Sequence, residues 1–257
     1  MTKTETAHLV ADVFNTDFNH NLNYSTLGRE ILNTAEQHAE KRDFGLTQIR
    51  KSNQSWVLSR LTIEMNRMPH VFETYSIDTW IENIYRMFTN RNFCIKVSNS
   101  TDDSDPEVVG YARSVWALID NDSRQPLDLT SLYGQTFEKW LYPENPCPID
   151  GHSRIRPLSS YSSEVKYAIR YNDIDCNGHV NSVKYLEHIC NLFNLEFYKQ
   201  HRLKRIELAY VAESYFGDTL HFFMTEIEPL RYQIEIAKSS TADETPTTVV
   251  RSFVTFA

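Results

Sequence analysis

A chain of 257 residues is long enough for one large domain or for two domains of ordinary size. Its 41% hydrophobic and 12% aromatic content is typical of a globular protein and excludes a disordered or fibrous chain. The formal charge of −8 weighs against nucleic-acid binding, because contacts with phosphates need a basic surface.

Cysteines and apolar runs narrow the class further. The four cysteines include no CxxC pair and are too sparse for a disulfide framework in a chain of this length. The first residues lack the profile of a signal or transit peptide, and no apolar run approaches the ~18–20 residues of a membrane span. We therefore expect a cytoplasmic protein that has no nucleic-acid or membrane partner.

The first half of the chain predicts a strand, a polar cluster, a helix and then four more strands. The strands are predicted at 7–14, 55–65, 75–83, 87–98 and 108–119. The helix is predicted at 24–41, where apolar spacing places one face toward a core: Leu27, Ile31, Ala35 and His38. The polar segment 99–106 predicts a hairpin loop.

The second half repeats this order. Strands are predicted at 163–170, 204–212, 219–228, 231–238 and 247–256, with a hairpin loop at 239–246. One helix is predicted at 180–200, and its apolar face is Val183, Leu186, Ile189, Phe193 and Phe197.

This recurrence predicts an α+β fold with two tandem domains, each a long helix wrapped by an antiparallel sheet. The N-terminal domain is expected at 1–135 and the C-terminal domain at 161–257. The proline-rich segment between them, 136–160, is expected to be an interdomain connector.

A polar motif supports duplication at the level of single residues. Asp17, Asn19, Asn21 and Asn23 align with Asp175, Asn177, His179 and Asn181, in each case between the first strand and the helix. The copies differ at two places that matter for chemistry. The second half has His179 opposite Asn21, and Glu213 opposite Met68. We therefore expect the second half to be catalytic and the first to supply packing and a binding cavity.

These residue types suit hydrolysis of an ester or thioester. Asp175 or Glu213 can act as base or nucleophile, His179 can shuttle a proton near neutral pH, and Asn177 can position a water molecule. No metal or cofactor is required. Structural roles stay open: Asn177 as a helix cap, His179 as a packing residue, and Asp175 as a charge at the helix N-terminus. Cys176 beside the motif is disfavoured as a nucleophile.

The segment 171–185 resembles the active-site segment of hot-dog thioesterases, and more narrowly that of acyl-acyl-carrier-protein thioesterases. That family has an Asp-x-Asn-x-His segment before the helix, matched here by Asp175, Asn177 and His179. A Tyr-x-x-Glu-Cys segment follows the helix, matched here by residues 210–214, with Glu213 as the acid. The likeness includes 56–65, 68–69 and 77–81, and so spans nearly the whole chain. One position departs, because the family's cysteine is Ser214 here, and this favours carboxylate chemistry over a cysteine nucleophile.

The resemblance implies a double hot-dog protein, related to bacterial members of the family, that releases free fatty acid and ends chain elongation in fatty-acid biosynthesis. The implied partner is an acyl carrier protein bearing a fatty acyl-phosphopantetheine. Four basic residues are candidates for docking it: Lys184, Arg202, Lys204 and Arg205. The acyl cavity is expected in the N-terminal domain, with four candidates for the residue that closes it: Met65, Met68, Trp80 and Phe93. An acyl-CoA thioesterase and a non-catalytic acyl-binding module are the alternatives, and either a monomer or a homodimer is compatible.

Overall fold

The computed structural model describes residues 2–98, 105–241 and 245–257. Residues 99–104 and 242–244, in the two predicted hairpin loops, lie outside the described residues. The chain divides into two compact units, 1–151 and 152–257. Residues 136–151 of the segment expected as a connector therefore belong to the first unit, and residues 152–160 to the second.

The described residues of the first unit form five strands and three α-helices. The strands are β1 (Glu5–Val10), β2 (Gln54–Met65), β3 (Thr74–Ile84), β4 (Phe88–Val97) and β5 (Glu107–Asp120), and the helices are α1 (Tyr24–Glu40), α2 (Leu46–Lys51) and α3 (Leu129–Glu138). The strands form an antiparallel sheet in the order β1-β3-β4-β5-β2. Helix α1 packs on β1 and β3 through the face predicted from its spacing: Leu27, Ile31, Ala35 and His38 are all buried.

Two helices of the first unit were not predicted. Helix α3 lies mostly within the N-terminal domain expected at 1–135, in a stretch where neither a helix nor a strand was predicted. Asp128 caps it by accepting a hydrogen bond from the Ser131 N–H at 3.1 Å. Leu129 and Phe137 are fully buried in a cluster with Phe44. Burial of these apolar side chains stabilises a segment whose local composition favours loops.

The second unit repeats the sheet with shorter helices. Its strands are β6 (Ser163–Ala168), β7 (Leu203–Tyr210), β8 (Thr219–Glu228), β9 (Arg231–Ser239) and β10 (Thr247–Phe256), and its helices are α4 (Ser182–Cys190) and α5 (Leu195–Gln200). The sheet is antiparallel in the order β7-β10-β9-β8-β6. Leu186 and Ile189 of α4 are fully buried, as the apolar spacing predicts.

The prediction of one helix over 180–200 is wrong. Helix α4 ends at Cys190, and Asn194 begins α5 by accepting a hydrogen bond from the Phe197 N–H at 2.9 Å. Asparagine competes for backbone hydrogen bonds, and this preference for caps divides the helix. Phe193 and Phe197 pack instead around Phe256, with ring centroids 4.7 and 4.8 Å away.

The strands otherwise follow the predicted pattern, with earlier ends where a turn intervenes. Strand β1 ends at Val10 rather than at residue 14, because Asp12 caps a 3₁₀ turn, Val13–Asn15. Strand β6 ends at Ala168, ahead of the equivalent turn, Tyr171–Asp173. Across the described ranges, none of the helices is both long enough and apolar enough to cross a membrane.

Candidate active site

A tight loop between β6 and α4 carries three of the four residues predicted for the site. Asp175 Oδ1 accepts hydrogen bonds from the backbone N–H groups of Asn177, at 2.8 Å, and His179, at 3.3 Å. The Asp175 N–H donates to the His179 carbonyl at 2.8 Å. Gly178 takes a φ of +83° in this turn, a left-handed conformation that glycine adopts without steric cost. The loop therefore holds His179 at a set position ahead of α4.

The loop lies against the segment that joins β7 to β8, which brings Glu213 to His179. The Val180 N–H donates to the Ser214 carbonyl at 2.8 Å, and His179 forms an isolated bridge with Tyr215. In this arrangement His179 Nδ1 lies 3.3 Å from Glu213 Oε1. The side chains of His179 and Glu213 are 26% and 30% exposed, so the pair is within reach of a substrate.

Tyr215 completes the pair and was not found from the sequence. Its hydroxyl donates to Glu213 Oε2 at 3.0 Å. Its ring meets the His179 ring edge-on, with centroids 5.1 Å apart. Both oxygens of the Glu213 carboxylate therefore face a neighbouring polar side chain.

The contacts of Asp175 and Asn177 differ from those expected of the catalytic and helix-capping roles considered in the sequence. The Asp175 carboxylate accepts from two N–H groups of its own loop, which makes it a clamp for the turn. Asn177 is exposed. The N-cap of α4 is Asn181, whose Oδ1 accepts from the Val183 N–H at 3.0 Å. A capping role for Asn177 is therefore wrong.

Cys176 and Ser214, which carry a thiol and a hydroxyl near the site, differ in their exposure. The Cys176 thiol is exposed. The Ser214 hydroxyl is fully buried, beside the Tyr185 phenol. Burial raises the pKa of this phenol to about 12, so it is neutral at physiological pH. Ser214 is therefore not accessible to substrate, and the Tyr185 phenol beside it is not a base that could activate it.

A buried polar cluster supports the loop from behind. The carboxylate of Asp173 accepts from the Tyr167 hydroxyl at 2.9 Å and from the Arg170 N–H at 2.7 Å. Its other oxygen lies 3.3 Å from His188 Nε2. Burial lowers the pKa of His188, although the Asp173 carboxylate opposes this shift. The cluster fastens α4 to the turn that precedes the loop. His188 on the inward face of α4 was its only signal in the sequence.

The first unit keeps the same loop without the reactive side chains. Asp17 Oδ1 accepts from the N–H groups of Asn19, at 2.9 Å, and Asn21, at 3.0 Å. Asn21 forms an isolated bridge with His70, as His179 does with Tyr215. The Leu22 N–H donates to the Pro69 carbonyl at 2.8 Å, which reproduces the bond from Val180 to Ser214. On this register Met68 stands where the second unit has Glu213.

The first unit contains a cavity beneath α1. It encloses about 380 Å³ of empty space, part of it open to solvent, and its apolar wall includes Ala35, Phe44 and Trp116. Its polar wall includes Glu36 and Arg91. The candidates Met65, Trp80 and Phe93 are buried in the core and do not line it, and neither does Met68.

The wall of this cavity contains a buried cation, Arg91. Burial lowers the pKa of Arg91 to about 9, with the Arg42 cation acting in the same direction and the Glu36 carboxylate against it. The guanidinium therefore stays charged at neutral pH. Its Nη1 donates to Thr79 Oγ1 at 3.3 Å. A buried cation beside aromatic rings limits which groups the cavity can hold.

Solved structures share this architecture along the whole chain. An acyl-ACP thioesterase from Bacteroides thetaiotaomicron has 42% identity, a TM-score of 0.86 and coverage of 99% of this chain and 98% of its own. A 12:0-ACP thioesterase from Umbellularia californica matches 100% of this chain and 98% of its own at 15% identity, with a TM-score of 0.85, which shows the fold alone. The protein is therefore a double hot-dog protein, and the predicted fold class is confirmed.

Sequence comparisons narrow the class to one family. The model of the acyl-ACP thioesterase N-terminal domain matches residues 3–134, and that of the acyl-ACP thioesterase C-terminal domain matches 158–252. The chain belongs to the acyl-ACP thioesterase family, as its motifs predicted. An oleoyl-acyl carrier protein thioesterase of Arabidopsis thaliana is 27% identical over 209 residues, covering 79% of this chain and 51% of that protein. The chain spans about half the length of the curated relatives it matches.

Proposed function

We propose that this protein hydrolyses the thioester of a fatty acyl-acyl-carrier protein, and that His179 and Glu213 form the catalytic pair. The observation that carries the proposal is the 3.3 Å approach of His179 Nδ1 to Glu213 Oε1, made by the two segments that match the family's motifs. A carboxylate and an imidazole in contact are groups that can remove and return a proton near neutral pH.

The chemistry follows from what each side chain offers. Glu213 accepts the proton of a water molecule whose oxygen attacks the thioester carbonyl. The carbon–sulfur bond then breaks, the thiol of the carrier leaves with a proton, and free fatty acid is the second product. His179 holds Glu213 and passes protons. Asn177, exposed on the loop, is placed to orient water or substrate, and Asp175 holds the loop.

The division of labour expected from the sequence remains part of the proposal. The N-terminal domain, 1–135, takes the acyl tail in the cavity beneath α1, while the C-terminal domain, 161–257, performs the hydrolysis. The apolar part of the cavity's wall, which includes Ala35, Phe44 and Trp116, suits an alkyl chain. Because Arg91 keeps its charge in the wall, an alkyl tail stops where it would meet the guanidinium.

The partner is an acidic carrier protein, so local basic groups must receive it. Of the four candidates, Lys184 and Arg205 are half-buried, whereas Arg202 and Lys204 are exposed. The two exposed residues are therefore the stronger candidates for docking. We place the reaction in cytoplasmic fatty-acid biosynthesis, with a monomer or a homodimer as the working unit.

The test is steady-state hydrolysis of matched acyl-carrier-protein and acyl-CoA thioesters over medium to long chains, with Glu213→Gln as the control. Faster release from the carrier protein, lost in the control, supports the proposal and gives the chain length. Equal or faster cleavage of acyl-CoA would assign the protein to CoA thioesters instead. Binding without cleavage of either substrate would leave a non-catalytic acyl-binding module.

A further inference from the structure

We propose that Tyr215 is a positioning residue for this reaction, because its hydroxyl holds Glu213 in the orientation that faces His179. The inference rests on the proposed function and adds a residue to its site. Tyr215 does not itself need to touch the substrate.

Each oxygen of the Glu213 carboxylate faces a different side chain. Tyr215 donates to Glu213 Oε2 at 3.0 Å, while His179 Nδ1 lies 3.3 Å from Oε1. Glu213 is partly exposed, so without a second contact its side chain would have several rotamers available in solvent. The phenol removes that freedom and keeps one oxygen directed at the imidazole.

Tyr215 is itself held from two sides. Its N–H donates to Asp218 Oδ2 at 3.0 Å, and the Asp218 N–H donates to the Tyr215 carbonyl at 3.1 Å. Lys238 Nζ lies 3.2 Å from the same carboxylate and 4.9 Å from the centroid of the Tyr215 ring. Although burial opposes it, hydrogen bonds from Tyr215, Ser240 and Lys238 lower the pKa of Asp218, which is 6% exposed. A buried, ionised carboxylate therefore anchors the backbone from which the phenol reaches Glu213.

The position of Tyr215 holds a different residue in the first unit. Asn21 forms a bridge with His70 in the first unit, and His179 forms the same bridge with Tyr215 in the second. The tyrosine thus occurs in the unit that has the glutamate, whereas the unit with Met68 has a histidine in its place. The backbone hydrogen bonds around the two loops are the same, so they do not require a tyrosine at this position. The contact with Glu213 does give a reason for it.

The test compares Tyr215→Phe with Tyr198→Phe. The control loses a hydroxyl that donates to the Cys190 carbonyl at 2.9 Å, in the same unit but outside the site. Tyr215→Phe should lower kcat about 10- to 100-fold with little change in KM, because a hydrogen bond to a charged group is lost. Tyr198→Phe should leave both kcat and KM unchanged.

Equal losses of kcat in the two variants, or unchanged His179 ring-proton chemical shifts in Tyr215→Phe, would overturn the inference. These shifts are measured without turnover, which separates the inference from the proposed function. They should change in Tyr215→Phe, because Glu213 is no longer held against the imidazole, and stay in place in Tyr198→Phe. Should the wild-type protein cleave no thioester, the proposed function fails, and the His179 shifts alone decide the role of Tyr215.

Discussion

Asp17 and Asp175 accept the same pair of backbone hydrogen bonds in the two units, each from the residues two and four positions further along the chain. The second loop has His179 with Glu213 beside it, where the first unit has Asn21 and Met68. Asp17 makes these backbone hydrogen bonds in a unit that lacks the histidine–glutamate pair, so the bonds serve to hold the loop. The same structural role for Asp175 argues against Asp175 as base or nucleophile.

Asp175→Asn tests this assignment because asparagine keeps an acceptor oxygen and loses the charge. We expect the variant to retain activity within about tenfold of wild type, whereas loss of a general base costs about 10²-fold or more. The measurement is kcat on the preferred acyl thioester, with Asp17→Asn as the matched control in the other unit. Inactivation of Asp175→Asn to the level of Glu213→Gln would make Asp175 the base.

Removal of either member of the catalytic pair should abolish most turnover. Glu213→Gln and His179→Ala are each expected to lower kcat at least ~10²-fold, because proton transfer in the hydrolytic step is lost. Both side chains are partly exposed, so unfolding temperatures should stay close to that of wild type. A normal kcat in either variant would place the chemistry elsewhere.

Ser214 should be dispensable for chemistry. Its hydroxyl is fully buried, so Ser214→Ala removes a group that substrate does not reach. We expect kcat within about threefold of wild type. A large loss of kcat in a folded Ser214→Ala protein would revive a nucleophile at this position.

Chain-length preference should respond to the cavity beneath α1. Ala35 lines the cavity and is 5% exposed, so Ala35→Leu adds three carbons to its wall. We expect the preferred acyl chain to shorten, at a cost in stability of about 1–3 kcal/mol from overpacking. Gln37→Leu, on the exposed face of the same helix, is the matched control. An unchanged chain-length profile in a folded Ala35→Leu protein would show that the tail lies elsewhere.

Acid should destabilise the first unit through His38. Burial, with repulsion from Arg91 and Arg42, lowers the pKa of His38 from 6.5 to about 2. Between these values the unfolded chain binds the additional proton, so this contribution to stability is complete above pH 6.5 and is lost as the pH falls.

The comparison of wild type with His38→Gln isolates the effect. Glutamine can replace the contact of His38 Nε2 with the Lys3 carbonyl, 3.2 Å away, without titrating. Chemical unfolding at pH 7 and pH 5 should show wild type losing up to about 2 kcal/mol more than the variant. Parallel losses in the two proteins would contradict a buried, neutral His38.

Much of this architecture was predictable because the spacing of apolar residues and the composition of the loops indicate the same elements along most of the chain. Helix α1 ends within one residue of its predicted end, since a continuous apolar face packs on the sheet. The division between α4 and α5 was missed because Asn194 acts through a hydrogen bond of its side chain, which spacing does not reveal. Helix α3 was missed because it is stabilised by tertiary burial of Phe137, which the local composition does not reveal.

The site was predictable to the extent that the two halves differ. His179 and Glu213 stood out because the aligned positions in the first half are Asn21 and Met68. Tyr215 did not, because a tyrosine beside a strand is ordinary and its function depends on where one rotamer directs the hydroxyl. The capping residue was misassigned for a similar reason, since Asn177 and Asn181 are equally good caps by composition.

The retained loop of the first unit has a consequence for how such proteins change. Its backbone bonds persist with Asn21, Met68 and His70 at the positions that hold the proposed site residues in the second unit. The main-chain hydrogen bonds of this loop therefore do not depend on which side chains occupy these three positions. The side chains of one copy can thus differ from those of the other while the backbone of the loop keeps its shape.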